Sequence, residues 1–138
     1  NMGAAMAPAA LDTLITHLQD TGRKPCYYDA IITGDLGYIG KDILTEMAES
    51  KGYNIKNNYN DCGVLIFDKD AQDTHSGGSG CGCVGSVFSG YFYKKLKEKN
   101  INRILLIATG ALMNSTSSQQ GESIPGIAHA IAIENLNN

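Results

Sequence analysis

The chain has 138 residues, a formal net charge of −3, an apolar fraction of 43% and a charged fraction of 18%. These values are typical of one soluble globular domain that is long enough to bury a core. The small negative charge provides no basic patch, so nucleic acid is not an expected partner. Apolar runs such as residues 104–108 are too short to span a bilayer. We therefore expect a single folded domain without a membrane-spanning segment.

Apolar patterns of helical and strand type alternate along the chain. The predicted elements, in chain order, are a helix at 9–20, a strand at 27–33, a helix at 40–51, a strand at 62–68, a helix that ends near residue 99, and strands at 103–109 and 126–134. Gly22 and Gly52 mark the ends of the first two helices. This alternation predicts an α/β fold with a mixed β-sheet and helices on both faces, whose last two strands pair antiparallel. Residues 1–8 are expected to be a disordered tag or truncation edge before one domain at 9–138.

The four cysteines are expected to be free thiols in a reducing compartment. Cys81 and Cys83 are too close in sequence for an unstrained disulfide on a helix or strand. Cys26 and Cys62 lie beside apolar runs, which predicts that both are small buried residues. An extracellular disulfide scaffold would be shorter and richer in cysteine.

Residues 75–83, HSGGSGCGC, are the most unusual stretch of the sequence. His75, Cys81 and Cys83 give an incomplete zinc ligand set, because the cysteines are not spaced as CxxC and no second pair follows. Cys81 or Cys83 as a nucleophile with His75 as base is a second interpretation, but no oxyanion-hole motif accompanies it. Glycine and serine directly before a helix also leave backbone N–H groups free to bind an anion. A tight turn that only permits close helix packing remains an equal alternative.

Two further segments carry candidate polar groups. The motif TGDLG at 33–37 follows a strand, at the edge where open α/β sheets bind ligands, so Asp35 is either an acid or base or a turn cap. Residues 111–125 form a long polar loop whose amides and hydroxyls suit hydrogen bonding to a ligand or a partner. His129 lies within a predicted strand and is expected to be a core histidine.

The stretches HSGGSGCGCVGSV and RILLIATGALMNSTSSQQGESIPGIAHAIAIE closely resemble the C-terminal part of the stage V sporulation protein AD family, which belongs to the thiolase-like superfamily. The resemblance extends from Asp12 to Glu134. Thiolase-like proteins consist of two similar halves, and this chain is similar to the second. The resemblance thus implies the C-terminal half of a thiolase-like fold. It also implies that the nucleophilic cysteine of the superfamily's enzymes lies in the first half, outside the matched residues.

The resemblance also bears on catalysis. Related ketoacyl synthase enzymes carry a histidine where this chain has Asp35, and an asparagine where the nearest counterpart is Gly78. A carboxylate cannot replace an imidazole that donates a hydrogen bond to a thioester oxygen. The expectation is therefore that this chain is not an enzyme.

The implied function is a non-enzymatic small-ligand-binding component of dipicolinic acid uptake during sporulation. The expected ligand-binding residues are Asp35, His75, Ser76, Gly77, Gly78, Ser79 and Cys81. A possible ligand or partner loop contains Asn114, Ser117, Gln119, Gln120 and Glu122. Neither a metal nor a cofactor is expected.

The expected partners are dipicolinic acid, the N-terminal half and other stage V sporulation proteins at the spore inner membrane, to which the protein would be peripheral. The fragment is also expected to form a homodimer through its third helix, Gly80 to about Leu96. Two alternatives remain open. One is an acyltransferase or ketoacyl synthase-like enzyme when the chain is joined to its N-terminal half, and the other is a structural subunit of a membrane-associated spore complex.

Overall fold

A computed structural model describes residues 2–66, 93–98, 100–111 and 126–135 of the chain. The elements are α1 (Met2–Thr21), a 3₁₀ turn (Pro25–Tyr27), β1 (Ala30–Thr33), α2 (Gly37–Ser50), β2 (Tyr59–Asp61), α3 (Cys62–Ile66), α4 (Tyr93–Lys97), β3 (Arg103–Ala111) and β4 (Gly126–Glu134). The predicted loop at 75–83, most of the predicted third helix and the polar loop at 112–125 lie outside the described residues.

The described strands form one four-stranded sheet in the order β2-β1-β3-β4. β1 pairs parallel with both β2 and β3, whereas β3 pairs antiparallel with β4. The register places Thr33 beside Asp61 on one side and Ile107 on the other. The predicted α/β class is therefore confirmed, together with the mixed sheet and the antiparallel last pair.

The side chains of β1 and β3 alternate between two separate apolar clusters. Ile31 and Leu105 pack with α1 and α2 on one face, where Leu14 and Leu44 are fully buried. On the other face, Ile32 and its neighbours pack with residues of α3 and α4. This second cluster consists of Ala30, Ile32, Cys62, Leu96, Ile104 and Leu106. Helices therefore cover both faces of the sheet, because central strands with apolar side chains on both sides need two layers of cover.

Several element boundaries differ from the sequence prediction. Residues 2–8 lie in α1 rather than in a disordered edge, and Met6 and Ala7 are buried against the core. Residues 2–8 contain no leucine or isoleucine and include Pro8, so apolar periodicity did not reveal this part of the helix. The first strand begins at Ala30 because the chain turns through 3₁₀ geometry just before it. This turn leaves Cys26 exposed, which corrects its predicted burial, whereas Cys62 is buried as predicted.

Two further predictions are wrong. The apolar run from Cys62 was predicted as a strand, but Cys62–Ile66 is helical and the strand is the preceding Tyr59–Asp61. His129 is exposed rather than buried in the core. It lies on β4, the last strand of the described sheet, on the same side of the strand as the exposed Ile131.

α1 and α2 cross at a point where only glycine fits. A Cβ atom added to Gly40 would lie 2.8 Å from the carbonyl carbon and oxygen of Gly3 and from the Cβ of Leu36. Real Cβ atoms do not approach backbone atoms this closely, so the helices would have to separate. The position of α2, and of the loop that precedes it, therefore depends on this contact.

We expect Gly40→Ala to destabilise the protein by roughly 1–2 kcal/mol, because overpacking costs more than the gain in helix propensity. Denaturant unfolding should show a lower midpoint with an unchanged slope. Glu46→Ala, at an exposed position of the same helix, is the control and should change stability by less than about 0.5 kcal/mol. A Gly40→Ala variant as stable as the wild type would contradict the close approach.

Candidate functional site

The carboxyl ends of the parallel strands β1, β2 and β3 meet at one edge of the sheet, where open α/β folds bind ligands. Four polar side chains occupy this edge in the described structure. Thr33 and Asp61 end their strands side by side, Asp35 follows β1, and Thr109 lies near the end of β3. We refer to these four residues as the carboxyl-edge cluster.

The Asp61 carboxylate organises the edge. Its Oδ1 accepts hydrogen bonds from the Thr33 hydroxyl and from the Leu36 backbone N–H at 2.9 Å. Its Oδ2 accepts from the backbone N–H groups of Gly37 at 3.0 Å and Gly63 at 2.9 Å. Because a carboxylate has about four acceptor sites, Asp61 is saturated. It therefore caps the first turns of α2 and α3 at once.

A buried hydroxyl chain leads to this carboxylate. The Tyr59 and Thr33 hydroxyls lie 2.7 Å apart, and the Thr33 hydroxyl donates its hydrogen bond to Asp61. Tyr59 must therefore donate to Thr33, since each hydroxyl has one proton. Thr33 and Asp61 are both fully buried. Burial raises the pKa of Asp61, and the bonds from Thr33, Leu36, Gly37 and Gly63 oppose that effect.

Asp35, in contrast, is hydrogen-bonded to a residue of β3. Its Oδ1 accepts a hydrogen bond from the Thr109 hydroxyl at 2.7 Å, and the residue is half-buried. Gly37, two positions later, has a φ of 73°, which a residue with a side chain rarely adopts. The loop therefore turns sharply between Asp35, which contacts β3, and Gly37, which contacts Asp61.

The sequence identified one member of this cluster and missed three. Asp35 stands at the strand end as predicted, with a structural hydrogen bond already in place. Thr33, Asp61 and Thr109 emerge only from the strand register, which the sequence pattern did not give. The other predicted ligand-binding residues, from His75 to Cys81, and the predicted loop residues, from Asn114 to Glu122, lie outside the described residues.

A second polar cluster stands at the opposite, amino end of β1. The Arg23 guanidinium donates to the Tyr28 hydroxyl at 2.8 Å and pairs with Glu134 at 3.2 Å. The guanidinium carbons of Arg23 and Arg103 each lie 4.3 Å from the centroid of the Tyr27 ring. These contacts connect the segment after α1 to the start of β3 and the end of β4.

Comparison with known proteins agrees with the resemblance in the sequence. The family model described as stage V sporulation protein AD matches residues 1–134. The chain belongs to the stage V sporulation protein AD family. Stage V sporulation protein AD of Bacillus subtilis strain 168 is 43% identical over 134 residues, which cover 97% of this chain and 39% of that protein. The chain therefore spans about two fifths of the length of this relative.

Membership identifies a sporulation protein of stage V and confirms the family predicted from the sequence. In the part of the chain that the structure describes, no helix is both long and apolar enough to cross a membrane. The same residues contain no cluster of three or more histidine, cysteine, aspartate or glutamate side chains suited to a metal ion. The zinc interpretation of the glycine-rich stretch concerns residues 75–83, which lie outside the described residues.

We expect Asp61→Asn to destabilise the protein by roughly 2–4 kcal/mol. An amide nitrogen in place of either oxygen of Asp61 would face two buried donors and could accept from neither. Chemical unfolding at neutral pH measures the change.

Asp29→Asn is the matched control. Asp29 is exposed, and its Oδ2 alone accepts both of its backbone hydrogen bonds, from Asn102 at 2.8 Å and Arg103 at 3.0 Å. An amide oxygen can take over that role, so we expect less than about 1 kcal/mol of destabilisation. Equal effects of the two substitutions would contradict the capping role of Asp61.

His17 at the amino end should make stability depend on pH. Its Nε2 is hydrogen-bonded to the Tyr28 hydroxyl, and partial burial followed by the Arg23 charge lowers the pKa of His17, against a smaller opposing effect of Asp20. Between this lowered value and the ordinary 6.5, the unfolded chain binds more protons, so stability rises with pH through that window. His17→Gln should show a smaller gain between about pH 5 and about pH 8. An unchanged pH profile of unfolding in the variant would contradict this.

Proposed function

We propose that this chain is part of a non-enzymatic ligand-binding component of dipicolinic acid uptake into the spore. Family membership supports the spore context. The observation that carries the binding role is that both carboxylates at the carboxyl edge already accept hydrogen bonds from the protein itself. Asp61 accepts four hydrogen bonds, and Asp35 accepts one from Thr109. Both carboxylates already support the protein's own structure.

A general base has to be free to take a proton and has to lie next to the group that it activates. Asp61 fails the first condition, because its acceptor sites are filled by buried donors. The described thiols do not supply a nucleophile at this edge either, since Cys62 packs into the apolar cluster and Cys26 lies at the amino end of the sheet. The geometry therefore supports a shaped binding edge better than an acyl-transfer centre.

The acidic side chains of the carboxyl-edge cluster do not favour binding of a dianion by this edge alone. Dipicolinate is a flat pyridine with two carboxylates, whereas the carboxyl-edge cluster contributes carboxylates and hydroxyls. The positive charge for the ligand must therefore come from other residues, of this chain or of the rest of the protein. We propose that the binding pocket is completed by the N-terminal half, and that Asp35 shapes the loop rather than contacting the dianion as an acceptor.

The proposed partners follow from a pocket that is shared between this chain and the rest of the protein. They are the remaining part of the protein, dipicolinic acid and other stage V sporulation proteins at the spore inner membrane. A homodimer of the chain through residues 80–96 is a further proposal, and most of that surface lies outside the described residues.

Calorimetry with dipicolinate tests the binding role, in this chain alone and in a full-length family protein that contains it. We expect binding by the full-length protein and weak or no binding by this chain. Asp35→Asn should bind at least as well as the wild type, because the amide oxygen still accepts from Thr109 and a repulsive charge is removed. Asp35→Ala loses that hydrogen bond and should bind severalfold more weakly.

The same variants separate the rival functions. An acyl-thioester enzyme that uses Asp35 as its base would turn over a thioester and would lose that activity in Asp35→Asn. A structural subunit would show neither binding nor turnover. Asp42→Asn, an exposed position on α2, makes the same change of charge and should have no effect. Thioester turnover by the full-length protein that is abolished in Asp35→Asn would reject the proposal.

A further inference from the structure

An open depression of about 700 Å³ lies at the amino end of β1, on the opposite edge of the sheet from Asp35. Its walls are the connection from α1 to β1 and the connection from α2 to β2. Its volume falls within the range of pockets that take small metabolites. Asp35, the predicted ligand-binding residue that the structure describes, is not among its described lining residues.

The first wall contributes positive charge. Arg23 uses one guanidinium nitrogen for both Tyr28 and Glu134, so the other N–H groups of its guanidinium remain available for a ligand. Lys24 is exposed, and its ammonium makes no hydrogen bond or ion pair with the described part of the chain. Asp29 is the acidic residue among the lining residues described, and its Oδ2 is occupied by the backbone N–H groups of Asn102 and Arg103.

The second wall contributes side-chain amides, two of which are held by hydrogen bonds. The Asn58 side-chain nitrogen donates to the carbonyls of Pro25 at 3.0 Å and Tyr28 at 2.9 Å, which connects the two walls. The Asn54 side-chain oxygen accepts from the Lys56 backbone N–H at 3.1 Å, which leaves its amide nitrogen free to donate. Asn57 is exposed and has no polar contact within the described residues. The depression is therefore preformed and presents hydrogen-bond donors.

We propose that this depression binds a small ligand through an oxyanion, either a phosphate or a carboxylate. Lys24 and Arg23 provide charge-assisted hydrogen bonds, and the side-chain amides of Asn54 and Asn57 donate to the remaining oxygens. The site is separate from the carboxyl-edge cluster and does not depend on dipicolinate binding there.

Nuclear magnetic resonance titration of this chain with inorganic phosphate and with succinate tests the site. We expect saturable shifts of the backbone signals around residues 23–29 and 52–58 for at least one of the two anions. Lys24→Gln and Asn57→Asp should each raise the dissociation constant by at least about tenfold, through loss of a charged donor and gain of a repulsive charge. Lys56→Gln is the control. It removes the same charge from the connection between α2 and β2, but Lys56 is not among the lining residues, so the affinity should be nearly unchanged.

A second arm identifies the source of the oxyanion. Vesicles of phosphatidylglycerol are compared with vesicles of phosphatidylcholine in a flotation assay, with the same variants. Binding of phosphatidylglycerol vesicles that depends on Lys24 and Asn57 supports the site and assigns a lipid headgroup to it. Binding of free anions alone supports the site with a soluble ligand. The absence of saturable binding in both arms, or an equal loss in Lys56→Gln, would overturn the proposal.

Discussion

The carboxylate of Asp61 is the contact on which the carboxyl edge of this fold depends. It lies fully buried, yet it accepts hydrogen bonds from one hydroxyl and three backbone N–H groups. An unpaired ion at this depth would cost several kcal/mol, so these donors are a requirement for its burial. In return, two helix starts and one strand end are fixed relative to each other. The loop that carries Asp35 takes its shape from this arrangement.

The parallel register of β1 and β2 explains why the Asp61 side chain can fix two helix starts and one strand end. Thr33 and Asp61 are paired positions on neighbouring strands, so the hydroxyl lies directly beside the carboxylate. Both strands then continue into helices, and the first N–H groups of those helices have no partner within the helix. A carboxylate between the two helix starts accepts hydrogen bonds from N–H groups of both helices and is stabilised by both helix dipoles. The close crossing of α1 and α2 at Gly40 holds α2 against the core.

The sequence predicted the fold class and family because those signals are local or extended along the chain. Alternating helices and strands are visible as apolar periodicity, and the helices end near Gly22 and Gly52 as predicted. The run from Cys62 was mistaken for a strand because its residues suit a strand. Its helical start depends on the Asp61 carboxylate, which accepts from Gly63 and is held in place by Thr33, Leu36 and Gly37 from an earlier part of the chain. The contact between Thr109 and Asp35 likewise joins residues far apart in sequence, which a local pattern does not encode.

The two edges of the sheet differ in the charge of their described side chains. The described side chains of the carboxyl edge are acidic or hydroxylic, and their hydrogen bonds are directed at one another. A dianionic ligand there depends on positive charge from residues beyond this cluster. The amino edge instead presents Lys24 and the Arg23 guanidinium beside the side-chain amides of the connection from α2 to β2. The four residues of the carboxyl-edge cluster therefore include no cation, whereas the amino-edge depression has an ammonium and a guanidinium group among its described lining residues.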